Sequence, residues 1–146
     1  MMEQLNNLVK LEFKSIPENV SLARVLVASV GAQLDLTISE LEELKVAVSE
    51  AVSNAIIHGY GNDPDQTVEM VIHSGADKLI VTVVDHGIGM ADVNQALQPS
   101  FSTDNDRMGL GFVFMQSFMD KLEVKSEPNM GTSVTMVKNL VFPRES

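Results

Sequence analysis

The sequence lacks cysteine and tryptophan and has a single tyrosine among its 146 residues. Without cysteine the chain has no disulfide, no thiolate nucleophile and no cysteine-ligated zinc site. No apolar run reaches the roughly 18 residues that a membrane-spanning helix needs, and the first ten residues lack the basic start and apolar core of a signal peptide. We therefore expect a cytoplasmic protein that has no membrane partner.

Basic residues are also scarce, at 10 against 20 acidic residues, which gives a formal net charge of −10 at pH 7. Because nucleic-acid phosphates favour lysine and arginine, this balance argues against direct binding to DNA or RNA. The chain does have an apolar content of 45%, which is enough to bury a core in one domain over residues 1–146. A basic protein partner or a metal-bridged anion suits the acidic surface better than nucleic acid.

Hydrophobic periodicity predicts the order β, α, α, β, β, loop, α, β, β. The predicted segments are a strand at residues 9–13, helices at about 17–34 and 37–58, two strands joined by a turn at Gly75, a polar loop at 98–109, a helix at about 110–119 and a hairpin around 128–131. The second strand of the Gly75 pair is apolar on both faces, which is typical of the middle of a sheet. The order favours an α/β (α+β) two-layer sandwich, with helices on one face of a mixed, mostly antiparallel sheet.

The segment VSEAVSNAIIHGYGN, residues 48–62, carries two polar residues in a helix that is apolar nearly all round. Glu50 and Asn54 are four residues apart and therefore share one face of that helix. Burying such side chains without partners costs on the order of 2 kcal/mol or more. Either the pair is satisfied locally, which is the commoner case for polar residues, or it serves a ligand.

The central strand ends in VVDHGIGM, which contains Asp85, Gly87 and Gly89. Glycines at alternate positions let a backbone turn sharply and approach a ligand closely. A carboxylate at the end of a buried strand can accept a hydrogen bond from an amino group such as that of adenine, and it discriminates against bases without that donor. An ordinary tight turn after a strand would show the same pattern.

Two further glycine motifs follow. RMGLGF places Gly109 and Gly111 between the polar loop and the predicted start of a helix, where free N–H groups suit phosphates. Gly131 and Thr132 lie in the final hairpin, where a turn requires glycine in any case. Each motif taken alone is weak evidence for a ligand.

In their order along the chain, these four motifs resemble the four boxes of the GHKL superfamily of ATPases and kinases. The segments SEAVSNAIIHGYGND and QPSFST are further similar to the bacterial anti-sigma serine kinases, and within them to the sporulation anti-sigma F group, over nearly the whole chain. The resemblance implies the GHKL (Bergerat) ATP-binding fold, with ATP and Mg²⁺ as cofactors.

The resemblance also implies roles for individual residues. Asn54 would supply an oxygen to Mg²⁺, and Glu50 would act as general base toward a serine hydroxyl, or orient it. Asp85 would bind the adenine amino group with Thr132 in support. Arg107 is a candidate γ-phosphate contact because of its charge and its place in the loop. The other implied nucleotide contacts are Ser53, Gly87, Gly89, Gly109 and Gly111, the last two as hinges of a lid at residues 99–108.

The implied activity is in-line transfer of the γ-phosphoryl group of ATP to a serine of an anti-anti-sigma protein. The resemblance further implies a homodimer that holds a sporulation sigma factor, of sigma F type, inactive. Arg24, in SLARV, lies in a segment similar to the helix through which the family contacts its partners.

Three alternatives stay open. A detached ATP-binding domain of a histidine kinase would normally carry a dimerising helical hairpin, for which we expect this chain to have no spare residues. A sigma-binding module that holds ATP without catalysis would have no need for a base at Glu50. A generic α/β domain with coincidental glycines is the third.

Overall fold

The computed structural model describes residues 6–97 and 103–140, and of residues 103–108 it describes the course of the backbone. In chain order the elements are β1 (Asn7–Lys14), α1 (Glu18–Gly31), α2 (Ile38–Asn54), a π-helical turn (Ala55–Gly59), β2 (Thr67–Ser74), β3 (Lys78–Asp85), α3 (Val93–Leu97), α4 (Thr103–Phe118), β4 (Lys121–Glu127) and β5 (Gly131–Asn139). The predicted order of strands and helices is confirmed, with the short helix α3 as an addition.

The strands form one sheet in the order β1-β2-β3-β5-β4, so the doubly apolar strand β3 lies at its centre, as predicted. All four pairings in the described residues are antiparallel, so the prediction of a mixed sheet was wrong. The physical reason is the position of β5. β3 and β4 run in the same direction, but β5 lies between them and pairs with each in the opposite direction.

The helices pack on one face of the sheet, which confirms the predicted two-layer arrangement. Alternate residues of β2 and β3 face the helices and are buried, as the period of a strand requires. The fully buried side chains of this core include Val27, Leu44, Val48, Val52, Met70, Ile72, Leu79, Phe112, Met115 and Met136. No helix in the described part of the chain combines the length and the hydrophobicity needed to cross a membrane.

α2 has a well-defined start and an unusual end. The Thr37 hydroxyl accepts from the backbone N–H of Glu40 at 3.0 Å, and the Glu40 carboxylate accepts from the N–H of Thr37 at 2.9 Å, which forms a capping box. The predicted extent to about residue 58 is confirmed within one residue, because the helical path continues to Gly59. After Asn54 the helix widens into a π-helical turn, in which the N–H of Tyr60 donates to the carbonyl of Ala55.

α4 begins at Thr103, about seven residues earlier than predicted. The loop prediction was therefore wrong for residues 103–109, while residues 98–102 lie outside the described ones. Thr103 and Asp104 are residue types that favour the first turn of a helix. The sequence-based prediction gave more weight to the polarity of the segment, which is typical of a loop. Gly109 and Gly111 consequently lie inside a helix and not at its start, and their role as hinges of a lid stays a prediction.

Candidate functional site

A cavity of about 320 Å³ opens between the end of α2, the end of β3 and the helices α3 and α4, a size typical of a small-molecule site. Its lining combines apolar walls with a few polar side chains. The lining residues are Ala51, Asn54, Ala55, His58, Gly59, Val83, Asp85, Ile88, Gly89, Met90, Ala91, Asp92, Gln95, Ala96, Phe112, Thr132 and Val134. Residues from three of the four sequence motifs thus line one cavity.

Glu50 and Asn54 meet α4 at Gly111, which belongs to the remaining motif. A methyl group on Gly111 would lie 3.0 Å from Oε2 of Glu50 and 3.4 Å from Nδ2 of Asn54. Glycine inside a helix costs about 1 kcal/mol relative to alanine, and here it leaves space for the two polar side chains. The predicted pair therefore lies beside the cavity, with Asn54 in its lining and Glu50 one turn earlier on α2.

Asp85 ends β3 and is only 5% exposed. Its Oδ1 accepts a hydrogen bond from the backbone N–H of Gly87 at 2.9 Å, and the backbone N–H of Thr132 donates to the same carboxylate. Burial raises the pKa of the Asp85 carboxyl, and these two hydrogen bonds oppose that shift only in part. The result is a buried acceptor in the cavity, held in a fixed orientation by two backbone donors.

The raised pKa of Asp85 predicts how stability depends on pH. Because the folded protein holds the Asp85 proton to higher pH than the unfolded chain does, the Asp85 contribution to stability falls as pH rises from the ordinary aspartate range through the folded pKa. Asp85→Asn removes this dependence. Between about pH 4 and pH 8, the difference in melting temperature, variant minus wild type, should therefore increase with pH and then level off.

The control for this titration is Asp77→Asn, because Asp77 is exposed on the β2–β3 turn. Its melting temperature should follow that of the wild type across the same pH range. A difference for Asp85→Asn that stays flat or falls with rising pH would contradict the assignment of a raised pKa to Asp85.

The turn after Asp85 packs against the π-helical turn. A Cβ at Gly87 would overlap the carbonyl group of Gly59, and the N–H of Ile88 donates to that carbonyl oxygen at 3.0 Å. Gly89 has a φ of +69°, in the region that favours glycine. The sequence argument assigned both glycines to approach of a ligand. In the structure the close contact between the backbones of Gly87 and Gly59 already requires a glycine at position 87, without any ligand. Gly89 lines the cavity.

Tyr60 fixes the same turn and was not singled out from the sequence. Its hydroxyl donates to the carbonyl of Thr67 and accepts from the N–H of His86, both at 2.7 Å. The phenol thus joins the start of β2 to the residue after Asp85. These partners are 7 and 26 residues away in sequence, and no local pattern indicates such contacts.

The short helix α3 forms one wall of the cavity and was also missed. The carboxylate of Asp92 accepts from the N–H of Gln95 at 3.1 Å, which is the hydrogen bond of a helix N-cap. An aspartate followed three residues later by glutamine is a recognised start signal, so DVNQ could have indicated this helix.

Three of the remaining predicted site residues, Ser53, Gly109 and Arg24, lie outside the cavity lining. Ser53 is half-buried on α2, and Gly109 is buried inside α4. The backbone of Arg107 belongs to α4, but its side chain lies outside the described residues. Arg24 is exposed on α1. Their predicted contacts stay predictions.

A family model described as a histidine kinase-like ATPase domain matches residues 13–138. The anti-sigma F factor of Geobacillus thermodenitrificans (strain NG80-2) is 49% identical over 140 residues, which cover 93% of this chain and 94% of the relative. The anti-sigma F factor of Anoxybacillus flavithermus (strain DSM 21510 / WK1) is 44% identical over 138 residues, with coverage of 93% and 94%. The chain belongs to the anti-sigma F factor family. The resemblance stated from the sequence is thereby confirmed, and ATP is the ligand that this class of domain uses.

Solved structures support the same fold. The structure of the RsbU and RsbW domains of Rv1364c from Mycobacterium tuberculosis has a TM-score of 0.62 at 17% identity, and the match covers 92% of this chain and 32% of that one. The histidine kinase domain of the blue-light activated histidine kinase EL346 from Erythrobacter litoralis has a TM-score of 0.54 at 19% identity, with coverage of 85% and 60%. At these identities the likeness is one of fold.

Proposed function

We propose that this chain is an ATP-dependent protein serine kinase that also holds a sigma factor inactive. One observation carries the catalytic part. The carboxylate of Glu50 and the amide of Asn54 converge on Gly111, and Asn54 lines the same cavity as the buried carboxylate of Asp85. In this proposal the Asp85 side of the cavity binds the adenine base and is called the base end. The side of Glu50 and Asn54 provides polar groups for phosphate chemistry.

The orientation of ATP follows from the π-helical turn. Asp85 packs against Gly59, the last residue of that turn, and Asn54 directly precedes its first residue. The adenine amino group would donate to Asp85 with Thr132 alongside, and the triphosphate would extend toward Asn54. Ser53, Gly87, Gly89, Arg107, Gly109 and Gly111 stay proposed nucleotide contacts, with Arg107 toward the γ-phosphate.

Asn54 has the chemistry to hold Mg²⁺. Its Nδ2 is buried and has no hydrogen-bond partner among the described residues. The two ends of an asparagine amide exchange places by a half-turn of the side chain, so the oxygen can occupy the same position. Mg²⁺ prefers oxygen ligands and, when bound with ATP, neutralises phosphate charge. The unsatisfied amide therefore fits a metal-bound triphosphate.

The proposed reaction places Glu50 next to the incoming serine. Its carboxylate accepts the proton of the hydroxyl as the serine oxygen forms a bond to the γ-phosphorus. The bond from that phosphorus to the bridging oxygen of ADP breaks on the opposite side, and ADP leaves. The protein contributes mainly the positions of the reacting groups and the neutralisation of charge. In the histidine-kinase alternative, the acceptor of the phosphoryl group would be a histidine in place of the serine.

The surface around Arg24 is the proposed contact for protein partners. Leu22 and Val25, on the same helix α1, are 44% and 66% exposed. Exposed apolar side chains beside a cation favour a protein partner over solvent. The proposed partners are a sporulation sigma factor of sigma F type and an anti-anti-sigma protein that is the phosphorylation substrate. We also propose a cytoplasmic homodimer that does not contact nucleic acid directly.

The test of serine specificity uses the chain with Mg²⁺ and γ-labelled ATP in an extract of sporulating cells. We expect an acid-stable phosphoserine on one small protein, and no label on it when Glu50→Gln replaces the wild type. The phosphorylated residue is identified chemically after acid hydrolysis.

Two other results would overturn the serine-kinase proposal. Acid-labile label would indicate histidine kinase chemistry. Absence of label from a chain that binds ATP would favour the sigma-binding module that holds ATP without catalysis.

A further inference from the structure

Ser126 of β4 connects Met90, in the turn after β3, with Gly131 and Thr132 at the start of β5. Its hydroxyl accepts from the N–H of Met90 at 2.8 Å and donates to the carbonyl oxygen of Gly131 at 3.0 Å. The hydroxyl oxygen of Ser126 also lies 2.8 Å from Oγ1 of Thr132, the residue that pairs with Ser126 on β5. Ser126 does not line the cavity, but Met90 and Thr132 do.

All three contacts of the Ser126 hydroxyl are hydrogen bonds only if Thr132 is the donor of the last one. A serine hydroxyl has one proton and two lone pairs. If Ser126 gives its proton to Gly131 and accepts the N–H of Met90, one lone pair is left for Thr132. Thr132 then donates to Ser126, and its own lone pairs stay available to a ligand in the cavity. Thr132 therefore presents an acceptor, close to the acceptor Asp85.

Asp85 alone does not select adenine against every 6-oxo purine. A 6-oxo purine has an N–H at position 1, which can also donate to a carboxylate. What separates the two classes is position 6, where adenine carries an amino donor and guanine or hypoxanthine carries an oxygen acceptor. A second acceptor beside Asp85 that contacts position 6 directly satisfies the amino group and leaves the 6-oxo oxygen unpaired.

We propose that Ser126 is a specificity-determining positioning residue, which holds the Thr132 hydroxyl as an acceptor toward the base and so makes the cavity prefer 6-amino over 6-oxo purine nucleotides. The inference rests on the proposed placement of the adenine of ATP near Asp85. It predicts that loss of the Ser126 hydroxyl frees the Thr132 proton, which can then turn to a 6-oxo group.

The experiment compares ATP with inosine triphosphate, which replaces the 6-amino group by a 6-oxo group and an N1 proton. Dissociation constants are measured by competition against a fluorescent ATP analogue. We expect Ser126→Ala to lower the preference for ATP about tenfold. Ser126→Thr, which keeps the hydroxyl, should restore the wild-type ratio. Ser133→Ala is the matched control, because Ser133 follows Thr132 on β5 and lies outside the cavity lining.

A second background separates this role from simple destabilisation. In Thr132→Val the hydroxyl that Ser126 orients is absent, so adding Ser126→Ala should leave the ratio of the two constants unchanged. A purely structural role of Ser126 would instead change both backgrounds alike.

The outcomes are distinguishable. An unchanged ratio in Ser126→Ala with intact ATP binding would overturn the inference and leave the ATP site standing. A wild type that binds neither nucleotide would overturn the proposed ATP site, and the inference with it.

Discussion

Asparagine in place of Asp85 is expected to weaken ATP binding about 100-fold. The side-chain oxygen of the variant would keep the N–H of Gly87 as its donor, which leaves the NH₂ end for the remaining contacts. That end would face the backbone N–H of Thr132 and the adenine amino group, both of which are donors. A donor against a donor in a buried site costs about 1–3 kcal/mol beyond the lost hydrogen bond. Equilibrium binding of a fluorescent ATP analogue measures the loss.

The stability of the same variant serves as the internal control. Because burial raises the pKa of Asp85, the ionised carboxylate is a cost to the free protein at neutral pH, and the neutral amide relieves it. The amide also faces the N–H of Thr132 in the free protein, which opposes this gain. Asp85→Asn should therefore melt near the wild type while it binds ATP poorly. Asp77→Asn should change neither property. If the ATP affinity of Asp85→Asn stays within threefold of the wild type, the adenine of ATP does not bind at Asp85.

The architecture could be predicted from local patterns because each strand carries its own signal. β3 is apolar on both faces, so its central position followed from burial alone. The four-residue spacing of Glu50 and Asn54 likewise fixed their common face before any tertiary contact was known. The order of the glycine motifs along the chain indicated the family, and the family resemblance gave the proposed roles of Asp85 and Thr132.

What could not be predicted depends on contacts between distant segments. α4 includes Gly109 and Gly111, which lower helix propensity, and its packing on α2 compensates for them. The hydroxyl of Tyr60 reaches His86, and that of Ser126 reaches Met90, 36 residues away. Neither contact repeats with a helical or strand period, so a single sequence gives no sign of it. Hydrogen-bond networks around a site are in this respect harder to predict than the elements that carry them.

Glutamine in place of Glu50 is expected to lower phosphoryl transfer by a factor of about 100 to 10,000, the usual contribution of a general base. The change keeps the size of the side chain and its place beside Gly111 on α4, but the amide has no lone pair basic enough to take the serine proton. ATP binding should stay within about threefold, since the base end of the cavity is untouched. Single-turnover transfer and equilibrium ATP binding, measured on the same preparation, separate the two effects.

Glu43→Gln is the matched control, because Glu43 lies on α2 seven residues before Glu50 and faces the same way on the helix. It should transfer phosphate at the wild-type rate. If Glu50→Gln loses ATP affinity and transfer together, Glu50 acts in nucleotide binding and not as a base. If it keeps full transfer, the carboxylate is dispensable, and positioning of the serine with charge neutralisation near Asn54 must account for the rate. Only a loss of transfer with retained affinity agrees with a proton acceptor at this end of the cavity.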